Sequence, residues 1–344
     1  MISLAPLKQR GFSLLTGYKT YRDLCDRQWT IHPSEKTSSP AAIYLNGELD
    51  KVTNVQEETT YAAELKRVQG GIVEHAATVA YRLQDVMMHG GYVYKNAMKY
   101  TLLLQKESLI AWGGVERIAE AAIGCTFVGN RYFGHWLTDN LTLTLAAQRL
   151  AMAVRPSQPL TNHQQEYSDY LDIYCTPIKN ARFKELIIID DYGQNQYKYE
   201  RYESIRSKFK ETSTYQSVPG VMLLRGSSGV KRILVNENEV AEFLRNQGFI
   251  IIDPQKMSVR DIIAKTLGAN VVVSVEGSQL IHGLFTLSPS GTMLTLQPPY
   301  RFNNVFKDYT DCLGLKYAFV VGQQVTNGFE ISIEDLARTL DIIG

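Results

Sequence analysis

"FIIIDPQKMSVRDIIAKTLGANVVVSVEGSQL", residues 249–280, decides how the second half of this chain folds. Phe249 to Asp253 is an apolar, β-branched run stopped by Pro254, which reads as a buried strand. Ser258 then opens a helix that ends at Gly268, with a capping serine at one end and a glycine at the other. "NVVVSV" is a second strand, apolar at nearly every position, and it runs into Glu276-Gly277-Ser278 and a third helix from about Gln279 to Thr286. The same grammar extends in both directions. Upstream, "GVMLLRG" (220–226) is a short apolar run. "NENEVAEFLRNQG" (236–248) is a helix with Asn236 as N-cap, Glu239 three residues on in a near capping box, and Gly248 as C-cap. Downstream, "GTMLTLQPP" (291–299) and "KYAFVV" (316–321) are strands separated by a helix near 302–312. Fully apolar strands alternating with helices imply a parallel sheet covered on both faces, so the C-terminal domain reads as a doubly wound, Rossmann-like unit.

The first part of the chain is also α/β in character. "IAWGGVERIAEAAIG" (110–124) and "FKELIIIDD" (183–191) contain strand-like runs. "HWLTDNLTLTLAAQRLAMAV" (135–154) reads as one long helix, and "HQQEYSDYLDIY" (163–174) as another. An irregular stretch precedes them to about residue 60. At 344 residues two domains are expected, and the polar stretch 210–220, closed by Pro219-Gly220, is the best linker. The expected division is therefore an α/β domain over 1–215 and the Rossmann-like domain over 216–344.

Composition narrows the function classes. Hydrophobic residues make up 44% and charged residues 21%, which describes an ordinary globular protein. Lys+Arg (36) and Asp+Glu (35) nearly cancel, without a basic stripe, so a nucleic-acid partner is disfavoured. Cys25, Cys125, Cys175 and Cys312 are isolated, and no two of the six histidines have zinc-like spacing. They fit a cytoplasmic protein with reduced thiols and no metal centre. The uncharged stretch 277–300 is broken by Gly283, Pro289, Gly291, Pro298 and Pro299, so it does not read as a membrane span. That leaves peripheral attachment to the inner face of a membrane open.

In open parallel sheets ligands collect beyond the carboxyl ends of the strands. Those ends carry Arg225-Gly226, Asp253, Glu276-Gly277-Ser278 and Gln297-Pro298. Gly277 permits a tight turn and Ser278 would cap a helix whose free N–H groups suit a phosphate, with Glu276 placed to accept ribose or sugar hydroxyls. A plain strand–turn–helix junction is the equally simple alternative. Arg225 and the loop "GSSGVKR" (226–232), with Lys231 and Arg232, offer cations for a departing diphosphate, although a solvated loop explains Lys231 as well. Neither GxGxxG nor GxxxxGK[ST] occurs, which disfavours dinucleotide oxidoreductases and P-loop enzymes. Asp190-Asp191 reads as a strand-end turn. In "NRYFGHWLTDNL" (130–141), His135 and Asp139 are four apart on one helix face, either a structural pair or a proton-handling one.

These pieces, in this order, resemble glycosyltransferase family 61. "NRYFGHWLTDNL" is similar to that family's N-Y-x-H-W-L-x-D-x-L motif, with one residue more between Asn130 and His135. "LLRGSSGVKRILVNE" (223–237) keeps the arginine and Asn-Glu of a Ser-Arg…Leu-Asn-Glu segment, with Leu224 in place of the serine. "VSVEGSQL" answers the Gly-x-x-Gly-Ser/Ala turn, with Glu276 where many members have histidine. The likeness covers roughly residues 85–325. It implies two Rossmann-like domains facing each other in a GT-B arrangement, with the site between them. It further implies inverting, metal-independent transfer from a nucleotide-sugar, chiefly UDP-linked, to a glycan or lipid-linked saccharide, as in surface polysaccharide synthesis. On that reading His135 or Asp139 is the acceptor's base. Arg225, Arg232, Asp253, Glu276, Gly277 and Ser278 hold the donor, and no cofactor is needed. A UDP-sugar 2-epimerase and a non-catalytic glycan- or nucleotide-binding module are the rival readings.

Overall fold

Residues 4–106, 114–212, 218–226 and 232–344 are described by a computed structural model of the chain. Lys231, residues 213–217 of the expected linker and the start of the 110–124 stretch lie outside the described residues. The chain forms two compact units, one of residues 1–35 and 75–201, the other of 36–74 and 202–344.

The first unit begins with helix α1 (Ala5–Thr16) and strand β1 (Arg27–His32). The long strand β2 (Thr78–His89), β3 (Tyr92–Lys95), β4 (Met98–Thr101) and β5 (Glu116–Ile123) follow. Then come α2 (Phe127–Arg131), α3 (Leu141–Gln148), β6 (Ala153–Pro156), α4 (Asn162–Leu171), β7 (Thr176–Ile178) and β8 (Asn180–Asp190). Helix α5 (Gln196–Thr212) carries the chain into the second unit.

The sheet order is β4-β3-β2-β8-β5-β6-β7, with β1 also on β2. One half is parallel, because β8, β5, β6 and β7 run together. The other half is antiparallel: β1, β3 and β8 all oppose β2. The expected α/β character is present, but the sheet is mixed rather than wholly parallel. β8 explains its own sequence: Leu186 and Ile188 enter one core with Leu83 and Ile123, while Ile187 and Ile189 enter another with Leu143, Ala146 and Ala147 of α3. A strand covered on both faces has no polar side to show.

The second unit is the doubly wound sheet that the sequence announces. Its strands are β9 (Val218–Leu223), β10 (Ile250–Ile252), β11 (Ala269–Val275), β12 (Thr292–Gln297) and β13 (Lys316–Val321). Helices α6 (Glu237–Asn246), α7 (Val259–Thr266), α8 (Val305–Cys312) and α9 (Ile333–Ile343) accompany them. All pairs within this five-stranded sheet are parallel, in the order β10-β9-β11-β12-β13. The winding direction therefore reverses between β9 and β11, which is where such folds bind ligands.

Three local expectations are corrected. The helix expected over 279–286 is a 3-10 turn over Ser278–Gly283 whose N-cap is Gly277, without a side-chain cap. Gln279 turns back instead, donating to Val275 O at 2.6 Å and to Ser274 Oγ at 3.0 Å. The long helix expected from His135 stops at Gln148, and Ala153 and Val154 begin β6. Asn236 sits at the N-cap of α6 but makes no cap bond, since its amide clamps the backbone of Ile331 through both N–H and C=O.

The single boundary expected at 215/216 also differs from the compact units. The irregular segment 36–74 belongs with the second, where Ile43 bridges to Ala318 beside β13 and Val55 to Phe302. Buried Glu64 accepts from the backbone and side-chain amides of Asn304, and Glu48 accepts from the Val321 N–H. Among the described residues, no helix is long and apolar enough to cross a membrane.

Candidate functional site

The polypeptide leaving the carboxyl end of β5 builds the first group. Thr126 caps α2 by accepting from Gly129 N at 2.9 Å. Asn140 reaches back so that its Oδ1 accepts from Thr126 N at 2.8 Å, while its Nδ2 donates to Asn130 Oδ1 at 3.0 Å. Gly129 is required there: a Cβ would lie 2.0 Å from Asn140 Oδ1. Between the two asparagines the helix widens into a π turn over Trp136–Asn140. Such turns cost regular hydrogen bonding and concentrate at functional places.

His135 lies at the mouth of that turn. Its Nδ1 is 2.8 Å from Asp139 Oδ2, with the side chains 33% and 19% exposed. A carboxylate on Nδ1 fixes the tautomer and leaves Nε2 as the basic nitrogen. Trp136 is buried and stacked on Phe133, so it packs the turn. Trp136 and Asn140 also border a cavity of about 320 Å3 that neither His135 nor Asp139 lines. Tyr192, just past the end of β8, has its hydroxyl pKa raised by partial burial, by the charge of Asp190 and, to a smaller extent, by that of Asp139.

Asp190 and Asp191 are both engaged. Asp190 accepts from Tyr21 and from Arg22 Nε and Nη2. Asp191 is buried with Lys198 at 2.7 Å and Arg201 at 2.8 Å. Burial pushes the Asp191 carboxyl up, but those two cations outweigh it and hold the group at about 2. Among the described residues, no three His, Cys, Asp or Glu side chains are grouped to hold a metal.

The second group gathers at the carboxyl ends of β9, β11 and β12. Glu276 Oε2 is 2.7 Å from Arg232 Nη1 and 2.8 Å from Arg301 Nη1. Arg225 donates to Gln279 Oε1 at 2.8 Å and to Glu276 O at 3.3 Å, and Arg232 also donates to Glu276 O at 2.8 Å. Glu237, at the first turn of α6, receives the N–H groups of Arg225 and Gly226 and so fixes the end of β9. Two guanidiniums thus pair with one carboxylate, and a third, that of Arg225, holds the backbone carbonyl of the same residue. Burial first, and the charge of Arg301 after it, lower Arg225 and hold Arg232 at about 10 against the pull of Glu276. Arg232 Nε is buried without a hydrogen-bond partner among the described residues.

Gly277 has φ +153°, and a Cβ on it would lie 1.9 Å from Arg225 Nη1. The glycine is what lets the arginine cross the turn. Ser278 is half-buried and caps nothing. Asp253 stands apart in role: it caps the turn after β10 by accepting from Gln255 N and pairs with Lys256. Arg225, Arg232, Glu276 and Gly277 are therefore brought together. Arg301, Gln279 and Glu237 complete the cluster. Arg301 was missed although it follows the Gln297-Pro298 strand end, where a cation four residues on was the available signal.

A family model described as Glycosyltransferase 61 matches residues 133–294, a span that holds His135, Asp139 and Asn140 of the first group and, apart from Arg301, the second group. No curated protein matches the chain. Through that segment the chain is similar to glycosyltransferase family 61.

Proposed function

We propose that the enzyme transfers a sugar from a nucleotide diphosphate sugar, of the UDP class, to a hydroxyl of a glycan or lipid-linked acceptor in surface polysaccharide synthesis, inverting the anomeric centre. The observation that carries this reading is the surplus of guanidinium charge around Glu276 at the switch point of the second unit's sheet. In a single displacement the acceptor oxygen bonds to the anomeric carbon as the bond from that carbon to the diphosphate oxygen breaks. The acceptor's proton goes to the base and the nucleoside diphosphate leaves as an anion. Arg225, Arg232 and Arg301 neutralise that anion, a role they fill without a metal ion. Glu276 holds the arginines in place, which replaces the ribose contact expected of it. His135 accepts the proton through Nε2, oriented by Asp139. The two-Rossmann, GT-B reading draws support from the parallel sheet of the second unit and the parallel half of the first.

The test incubates the full chain with UDP-sugars with and without saccharide acceptors. Released UDP and the anomeric configuration of the product are followed by NMR. Acceptor-dependent release with inversion is expected; a free epimerised sugar formed without acceptor overturns the proposal.

A further inference from the structure

Helix α1 is built inside out. Its inward side carries Pro6 and Gln9, both buried, and half-buried Ala5, which packs beside Met87, Tyr92 and Tyr94. Gln9 Nε2 donates to Ala97 O at 3.0 Å. The outward side carries Leu7, Phe12, Leu14 and Leu15, all exposed, with Leu14 at 87% and Leu15 at 84%. Leu4 before the helix and Tyr18 after it are exposed too. At roughly 100° per residue, the four leucines and Phe12 fall within one arc of the helix. A helix on a water-exposed surface shows the opposite distribution, so this arc is made for an apolar environment.

Its charge says which one. The first 22 residues contain Lys8, Arg10, Lys19 and Arg22 and no Asp or Glu. Arg22 is committed to Asp190, while Lys8 lies inside the apolar arc, where a long stem can lie along the leucines with its ammonium at the edge. Apolar and cationic groups on one face, with no acid among them, complement a surface that is apolar beneath and anionic above.

We propose that α1 is an interfacial anchor that seats the chain on an anionic phospholipid bilayer, with the leucines at the acyl boundary and Lys8, Arg10 and Lys19 at the headgroups. Apolar burial supplies the attachment, and the cations supply the preference for negative lipid. This inference is independent of which sugar is moved.

The experiment sediments the full chain with vesicles of phosphatidylcholine alone or mixed with phosphatidylglycerol, at low and high salt, with ultracentrifugation of the free protein alongside. Binding to the mixed vesicles that weakens with salt is expected. Leu14→Glu with Leu15→Glu should lower the partition coefficient by more than about tenfold while leaving the melting temperature unchanged. Lys8→Glu with Lys19→Glu should erase the preference for phosphatidylglycerol. A wild-type chain that stays in the supernatant with both vesicles overturns the proposal. So does a dimer that the leucine changes dissociate without any effect on vesicles, which would assign the face to a second copy.

Discussion

His135 Nδ1 and Asp139 Oδ2 lie 2.8 Å apart across a π turn, an arrangement that the two asparagines bracing that turn hold in register. If this pair handles the acceptor's proton, His135→Ala and Asp139→Asn should each lower turnover by about 100-fold or more. Neither side chain is deeply buried, so the melting temperature should move little. Near-normal turnover in both folded variants would assign the pair to structure.

Glu276→Gln leaves Arg232 and Arg301 without their counter-charge. The free protein should lose about 3 kcal/mol of stability, as when one partner of a buried ion pair is removed. Pyrophosphate and UDP should then bind more tightly and stabilise the variant more than the wild type. Thermal shifts with and without pyrophosphate read both effects, and an unchanged pyrophosphate shift would refute the counter-ion role.

Gly277→Ala places a methyl group where Arg225 crosses, at a backbone conformation that side chains avoid. A cost of about 2 kcal/mol or more is expected, together with loss of UDP affinity, because the arginine must move. Denaturation and calorimetry check the two parts separately.

Asp191 gives a pH signature. Its carboxyl titrates at about 2 in the folded chain against 3.8 without the fold, so its contribution is complete above about pH 5 and is withdrawn as the pH falls towards 2. That contribution is roughly 2 kcal/mol. Asp191→Asn should cost about 3–5 kcal/mol at pH 7, since Lys198 and Arg201 stay buried without their anion. The gap from wild type should narrow by pH 3. A gap that does not change with pH would show that ionisation is not its source.

The five-stranded sheet of the second unit was legible because its inner strands are buried on both faces and its helices carry local stop signals. Ser258, for example, caps α7 by accepting from Asp261 N. The 3-10 turn after Gly277 was not, because Gln279 satisfies the strand end with its side chain and Gly283 packs its backbone against Val272. Neither interaction is periodic. The His135–Asp139 pair was visible as a spacing, but the π turn beneath it depends on Asn140 meeting Thr126 and Asn130. Strand β2 went unread because Arg82, Gln84 and Asp85 interrupt its alternation, while partners on both edges complete it. Apart from the helix Tyr61–Gln69, which Thr60 caps, segment 36–74 shows no strong local pattern, since its partners lie far along the chain.

That last separation sets a timetable for the ribosome. Glu64 must wait for Asn304, 240 residues later, before its carboxylate finds its amides. At 5–20 residues per second the delay is roughly 10–50 s. Through that interval the stretch containing Ile43 and Val55 has emerged without Ala318 and Phe302, the residues it bridges to in the finished fold.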